Sequence, residues 1–169
     1  MRTFKQHAGK VVETDKRFKH VMAITLNPRA NYQEGIIRCV TSREGDIQVK
    51  GYVDRSVLYK ISKNSSEHFK IWERLIIKNE ENIVESLTQE NLYFIGLEDP
   101  DIWIDEEVNL MHLYFTMPFL SKDPQKQPSL IHLGHAVGEN LNSLAMMAPV
   151  LKASGKHYEE TKAKEVSIG

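Results

Sequence analysis

Short apolar segments separated by turn residues run along most of this chain, and the alternation within them is typical of β-strands. In the first half, strands are predicted at residues 21–26, 36–41, 47–53, 56–62 and, as an edge segment, 69–77. Asn27-Pro28 ends the first strand, and a turn at residues 44–46 follows the second. The best helical spacing, over residues 71–84, is weak. The pattern therefore predicts an all-β fold.

The second half of the chain repeats this order of strands and turns. After an apolar run at residues 91–97, strands are predicted at residues 101–104, 110–115, 129–137, 146–151 and 165–168. Asn27-Pro28 precedes Asp99-Pro100 by 72 residues, and about four short strands fall in each unit. Units of this size are typical of β-propeller blades, although a β-sandwich has the same number of strands. The chain then supplies about two blades and the start of a third.

Composition argues against several classes of partner. The 169 residues include 22 basic and 23 acidic side chains, so the charge favours neither nucleic acid nor an anionic membrane surface. No apolar run reaches the roughly 18 residues of a membrane helix, and the polar lead-in at residues 1–19 lacks the apolar core of a signal peptide. The single cysteine, Cys39, excludes an intrachain disulfide and fits a reducing compartment. We therefore expect a cytoplasmic protein.

The segment with the most concentrated chemistry is GLEDPDI at residues 96–102. Its three carboxylates repel one another between two apolar runs, and acidic groups beside apolar walls have raised pKa values, as a general acid requires. Pro100 favours an extended conformation for Asp99, which would give that carboxylate a defined direction. The same residues also suit an ordinary solvated turn before a strand.

Taken in this order, the residues resemble the N-terminal part of a five-bladed β-propeller glycosidase. The most similar family is glycoside hydrolase family 130, the β-mannoside phosphorylases and mannosidases. The matching elements are NP at 27–28, GIIR at 35–38, GLEDP at 96–100, the strand at 110–115 and KE at 164–165. The resemblance spans residues 20–169 and implies a partial β-propeller domain.

The resemblance also implies a role for each matching residue. Asp99 would be the general acid, passing its proton to the glycosidic oxygen through a sugar hydroxyl, with Glu98 beside it. Asn27 and Arg38 would bind the sugar, and Lys164 would lie near the anion pocket that holds phosphate in the phosphorylases. The implied reaction is inverting cleavage of an oligosaccharide, a β-mannoside, by phosphorolysis or hydrolysis. No cofactor is implied beyond inorganic phosphate as a co-substrate.

Two features depart from the family. Asp101 stands where the family has an arginine, which replaces a cation with an anion and counts against phosphate binding. The chain also ends at the start of a third blade, so we expect a fragment that is inactive alone. The alternative function is a non-catalytic module that binds sugar or a partner chain, and an open blade edge would favour homo-oligomers.

Histidine and aromatic residues supply the remaining candidates. His112, His132 and His135 match no metal-ligand spacing, so no metal site is predicted. Aromatic side chains more often pack in a core, but three of them are also candidates for stacking on a sugar ring: Trp72, Tyr93 and Trp103.

Overall fold

The computed structural model describes residues 10–49, 51–64, 68–123 and 130–151. Within these residues the chain forms nine β-strands, one 3-10 turn and one α-helix, and the strands lie in two antiparallel sheets. The predicted all-β class is therefore confirmed, whereas the propeller arrangement stays a prediction. Lys164 and the strand predicted at residues 165–168 lie outside the described residues.

The first sheet is a meander in which each strand pairs with its neighbour in sequence. Its strands are β1 (His20–Leu26), β2 (Glu34–Glu44), β3 (Val53–Lys63) and β4 (Phe69–Arg74). The strand predicted at residues 47–53 is wrong. Glu44 pairs with Val53, so β2 and β3 form a hairpin, and the described residues between these two, 45–49, 51 and 52, form its loop. Ile47 and Val49 in this loop are exposed, which shows that their alternation with polar residues does not reflect a sheet face.

The second sheet is built on both edges of one long strand. Its strands are β5 (Leu92–Phe94), β6 (Glu98–Asp105), β7 (Leu110–Ser121), β8 (Leu130–Gly138) and β9 (Ala145–Leu151). Strands β5 and β6 lie end to end along one edge of β7, and β8 pairs with its other edge. Helix α1 (Glu80–Leu87) connects the two sheets. The helical spacing at residues 71–84 thus spans the end of β4 and the start of α1. Among the described residues no helix is long and apolar enough to cross a membrane.

The main core lies between the two sheets, because alternate residues of each strand point to the same face. Ile36 and Leu58 contribute from the first sheet. The second sheet contributes one side of β7: Met111, Leu113, Phe115, Met117 and Phe119.

A smaller cluster covers the opposite face of the first sheet. Ile37, Cys39 and Ile61 pack there against Val12 and Phe18 of the segment before β1. Cys39 is fully buried, and desolvation raises the pKa of its thiol to about 12, so the thiol packs as an unreactive apolar group.

Candidate active site

Residues 95–97, between β5 and β6, turn away from the second sheet towards β3, and the candidate site lies where they approach it. The N–H of Ile95 donates to the carbonyl of Pro118 at 3.2 Å, but Pro118 has no N–H with which to complete the pair. The carbonyl of Ile95 instead accepts a hydrogen bond from the N–H of Ser56 on β3, at 3.0 Å. A backbone hydrogen bond therefore joins the two sheets directly before the acidic segment.

Gly96 allows this close approach of the two sheets. Its φ is +124°, and a Cβ atom at this position would lie 1.8 Å from the carbonyl oxygen of Ser56. Only glycine combines this backbone conformation with so short a distance to another main chain. A side chain at residue 96 would force the acidic segment away from β3.

A β-bulge opens strand β6 immediately afterwards. Glu98 pairs with Thr116 and the next pair joins Asp101 to Tyr114, so β6 contains one extra residue at this point. Asp99 lies in the bulge with a φ of 48°, a left-handed value that is rare in residues other than glycine and is disfavoured before proline. The prediction of an extended Asp99 is therefore wrong. The bulge, and not Pro100 alone, sets the direction of its carboxylate.

Arg38 on β2 holds the two carboxylates across the gap between the sheets. Its Nη2 donates to Glu98 Oε1 at 2.5 Å, and its Nη1 donates to Asp99 Oδ1 at 3.1 Å. Its Nε donates to Ser56 Oγ at 2.9 Å, and that hydroxyl donates to Glu98 Oε1 at 3.3 Å. We name Arg38, Ser56, Glu98 and Asp99 the carboxylate cluster. Three of the site residues predicted from the sequence therefore lie together.

The two carboxyl groups of the cluster have different surroundings. The side chain of Glu98 is 16% exposed and that of Asp99 is 35% exposed. Desolvation raises the pKa of Glu98; the positive charge of Arg38 opposes this shift and the negative charge of Asp99 adds to it. Glu98 is therefore suited to hold a proton, while Asp99 is the more accessible carboxyl group. This division is one that acid catalysis uses.

A cavity of about 270 Å³ lies beside the cluster, and its wall includes Ser56, Gly96 and Leu97. Sequence reasoning missed Ser56, which is buried and contacts both Arg38 and Glu98. Its position could have indicated this role, because Ser56 lies two residues before Leu58 and therefore on the face of β3 that points into the main core.

Asn27 lies away from the carboxylate cluster. The N–H of Asn27 donates to the carbonyl of Glu34 on β2 at 2.8 Å, and Glu34 lies four residues from Arg38, which at a strand rise of roughly 3.3 Å per residue is about 13 Å. Asn27 is 4% exposed, and its Nδ2 donates to Glu34 Oε1 at 2.8 Å while its Oδ1 accepts from the N–H of Arg29 at 3.0 Å. Its amide is thus bonded within the protein, and its role as a sugar ligand stays a prediction.

Each of the three aromatic candidates has another side chain against its ring, and for Trp72 this is Lys70, whose Nζ lies 4.9 Å from the ring centroid. The ring of Trp103 packs edge-on against His112 with centroids 5.0 Å apart, and the guanidinium of Arg55 lies 5.4 Å from the centroid of Tyr93. Trp72 on β4 is 52% exposed.

The three histidines flagged in the sequence contact aromatic or imidazole rings. Nδ1 of His112 and Nε2 of His135 are 2.9 Å apart, and His132 packs edge-on against Phe119. No group of three or more potential metal ligands occurs in the described part of the chain.

Comparison with known proteins found little similarity. No protein-family model matches the sequence, and no curated protein matches it. The crystal structure of a glycosyl hydrolase from Bacteroides ovatus is similar to this chain with a TM-score of 0.45 and 18% sequence identity. The match covers 82% of this chain and 32% of that one, so the chain spans about a third of the length of the solved structure. A likeness this distant carries no argument about function.

Proposed function

We propose that this chain carries the proton donor of a carbohydrate-active enzyme that cleaves β-mannosides with inversion. The carboxylate cluster is the observation that carries this proposal. Two adjacent carboxyl groups are bound to one guanidinium, and one of them is largely buried with a raised pKa while the other is more accessible. The order of the motifs around the cluster supports the choice of β-mannosides.

Asp99 acts as the general acid because it is the more exposed carboxyl group of the pair. Glu98 lies behind it and favours retention of a proton by the pair, because its burial and the neighbouring charge disfavour two ionised carboxylates. Arg38 and Ser56 hold this arrangement in place. The proton passes from Asp99 to a sugar hydroxyl and then to the glycosidic oxygen, as the family resemblance implies.

The energetic costs of the cluster also support a functional role. A buried ion pair adds little net stability, because desolvation of the charges offsets their attraction. A left-handed φ at a residue other than glycine costs about 1–3 kcal/mol. The cluster contains both features, in the ion pairs of Arg38 and in the backbone of Asp99.

The group that activates the nucleophile lies outside the cluster. An acid and a base that act on opposite faces of a sugar are about 6.5–9.5 Å apart, whereas Glu98 and Asp99 bind the same guanidinium. Phosphorolysis needs no such base, but the exposed anion of Asp101 on β6 disfavours a bound phosphate. Assays with and without phosphate distinguish the two reactions.

The test measures products released by the complete protein from short β-manno-oligosaccharides, with and without phosphate. We expect Asp99→Asn to reduce kcat by a factor of about 10²–10⁴. Asp105→Asn is the matched control, because Asp105 lies at the other end of β6 and accepts a hydrogen bond from the N–H of Glu107. Full activity of Asp99→Asn would exclude Asp99 as the acid. Sugar binding without turnover in either buffer would favour the non-catalytic module.

A further inference from the structure

We infer that a second cleft binds a neutral oligosaccharide, with one pyranose ring stacked on Trp72. This cleft of about 700 Å³ lies between the β3–β4 side of the first sheet and the turn that joins β8 to β9. It contains no residue of the carboxylate cluster. Its volume is in the range of pockets that enclose small molecules. The inference concerns a separate site and does not depend on the proposed reaction.

Trp72 offers the cleft an accessible aromatic surface in a fixed orientation. Its indole N–H donates to Ser62 Oγ, which holds the ring while half of the side chain stays exposed. The face of an aromatic ring is electron-rich and therefore attracts the weakly positive C–H groups of a pyranose. Lys70 shows that the ring attracts positive charge, since its Nζ lies 4.9 Å from the ring centroid. Displacing this exposed lysine costs only about 0.5–1 kcal/mol.

Polar groups of the cleft are arranged to bind hydroxyl groups. Lys60 Nζ donates to Glu73 Oε1 at 2.9 Å and to Asn142 Oδ1 at 2.5 Å, which links the first sheet to the turn between β8 and β9. Asn140 also lines the cleft. Amide, carboxylate and ammonium groups together donate and accept, as a sugar hydroxyl requires.

The charges of the cleft balance, which favours a neutral ligand. Arg17 at its edge is paired with Asp15 at 2.6 Å. The remaining charged residues are two lysines and two glutamates: Lys60, Lys70, Glu34 and Glu73. A neutral sugar keeps this balance, whereas a charged ligand would leave an excess of one sign.

The test uses the fluorescence of Trp72. The chain contains two tryptophans, so Trp103→Phe leaves Trp72 as the sole reporter. Titration with manno-, cello- and xylo-oligosaccharides should give a saturable change in emission for at least one of these glycans. Calorimetry on the unmodified protein measures the same affinity without substitution of Trp103. We expect Trp72→Ala to weaken that affinity about tenfold. Tyr52→Ala, which removes an exposed aromatic ring outside the cleft, should leave it unchanged.

The outcomes separate this inference from the proposed reaction. Asp99→Asn should reduce kcat by the factor given above and keep the Trp72 response, since Asp99 does not line the cleft. The absence of any response to millimolar neutral glycans would overturn the inference. It would also be overturned by binding that Trp72→Ala leaves intact. Self-association that Trp72→Ala abolishes, without glycan binding, would assign the cleft to a second copy of the chain.

Discussion

Two junctions between the sheets differ in their burial and in their backbone. At the carboxylate cluster, Arg38 binds two carboxylates in a largely buried setting, beside a strained Asp99 and a backbone bond from Ser56. At the Trp72 cleft, Lys60 binds Glu73 and Asn142 through side chains alone, and Glu73 is 73% exposed. The first junction is largely buried and includes a backbone hydrogen bond, whereas the second is open to solvent.

This difference indicates two kinds of site. Groups that transfer a proton need a controlled pKa and a fixed direction, which burial and the bulge at residue 99 provide. Groups that bind a sugar are hydrogen-bonded to water when no ligand is bound. A sugar hydroxyl that makes the same hydrogen bonds replaces this water at little cost in free energy. The largely buried junction therefore suits chemistry, and the open junction suits binding. Substitutions at the two junctions test this contrast.

Replacing Gly96 with alanine should have the largest effect on stability. The added Cβ would lie 1.8 Å from the carbonyl oxygen of Ser56, a backbone atom that cannot move without disrupting β3. Left-handed strain adds to this clash, so we expect a loss of more than about 4 kcal/mol in the free energy of unfolding. Urea denaturation measures this loss.

The matched control is Gly51→Ala, which separates the effect of the backbone conformation from the effect of the clash between the added Cβ and Ser56. Gly51 has a φ of +101°, but a Cβ there would have no atom within 4 Å. We expect a loss of only about 1–2 kcal/mol. Equal losses for the two variants would show that contact with Ser56 does not require glycine at residue 96.

Most strands could be predicted from local patterns, because alternating burial along a strand directly reflects the two faces of a sheet. The pattern failed at Ile47 and Val49, which alternate with polar residues yet lie in a loop. The register of the hairpin, fixed by the pairing of Glu44 with Val53, outweighs this local signal. Pairing between distant residues is not visible in a short window of sequence.

The candidate site was predictable in its charged residues and not in its geometry. Glu98 and Asp99 are adjacent in sequence, and the order of motifs links them to Arg38. The left-handed φ of Asp99 depends on the bulge against β7, and the contact of Ser56 depends on how the sheets pack. Asn27 belongs to the same order of motifs but lies beside the start of β2, four residues from Arg38 along that strand. Motif order does not specify the end of a strand at which a side chain lies.

Replacing the cation of each junction should have unequal effects. Arg38→Met leaves the carboxyl pair, which retains one proton, with an uncompensated negative charge in a largely buried site, so we expect a loss of about 3 kcal/mol near neutral pH. Lys60→Met removes a cation whose carboxylate partner is mostly exposed, so we expect a loss below about 1 kcal/mol. Thermal and urea unfolding measure both losses.

A double variant tests the cause of the larger loss. Glu98→Gln added to Arg38→Met confines the remaining negative charge to the more exposed Asp99 and should restore part of the lost stability. No recovery would indicate that Arg38 contributes through packing of its side chain. A loss at Lys60 as large as the loss at Arg38 would remove the contrast between the junctions.

Glu98→Gln should alter the pH dependence of stability, with the smallest change in the free energy of unfolding. Desolvation raises the pKa of Glu98 above its ordinary value of 4.5, so the folded protein binds this proton more tightly than the unfolded chain does. Its contribution to stability is complete below pH 4.5 and is lost as the pH rises through the raised pKa. Glutamine does not titrate, so the variant should lose less stability over this interval. Urea unfolding at several pH values measures the difference.

Glu80 provides the control, because desolvation also raises its pKa; it lines the 270 Å³ cavity, but its carboxylate pairs with Arg74 and not with Arg38. Glu80→Gln should therefore flatten the same stability curve and leave the pH profile of kcat unchanged. Glu98→Gln should change both, because the loss of one negative charge reduces the repulsion that keeps a proton on the pair. The alkaline limb of its kcat profile should move to lower pH. Identical kcat profiles for the two variants would contradict a role for Glu98 in holding the catalytic proton.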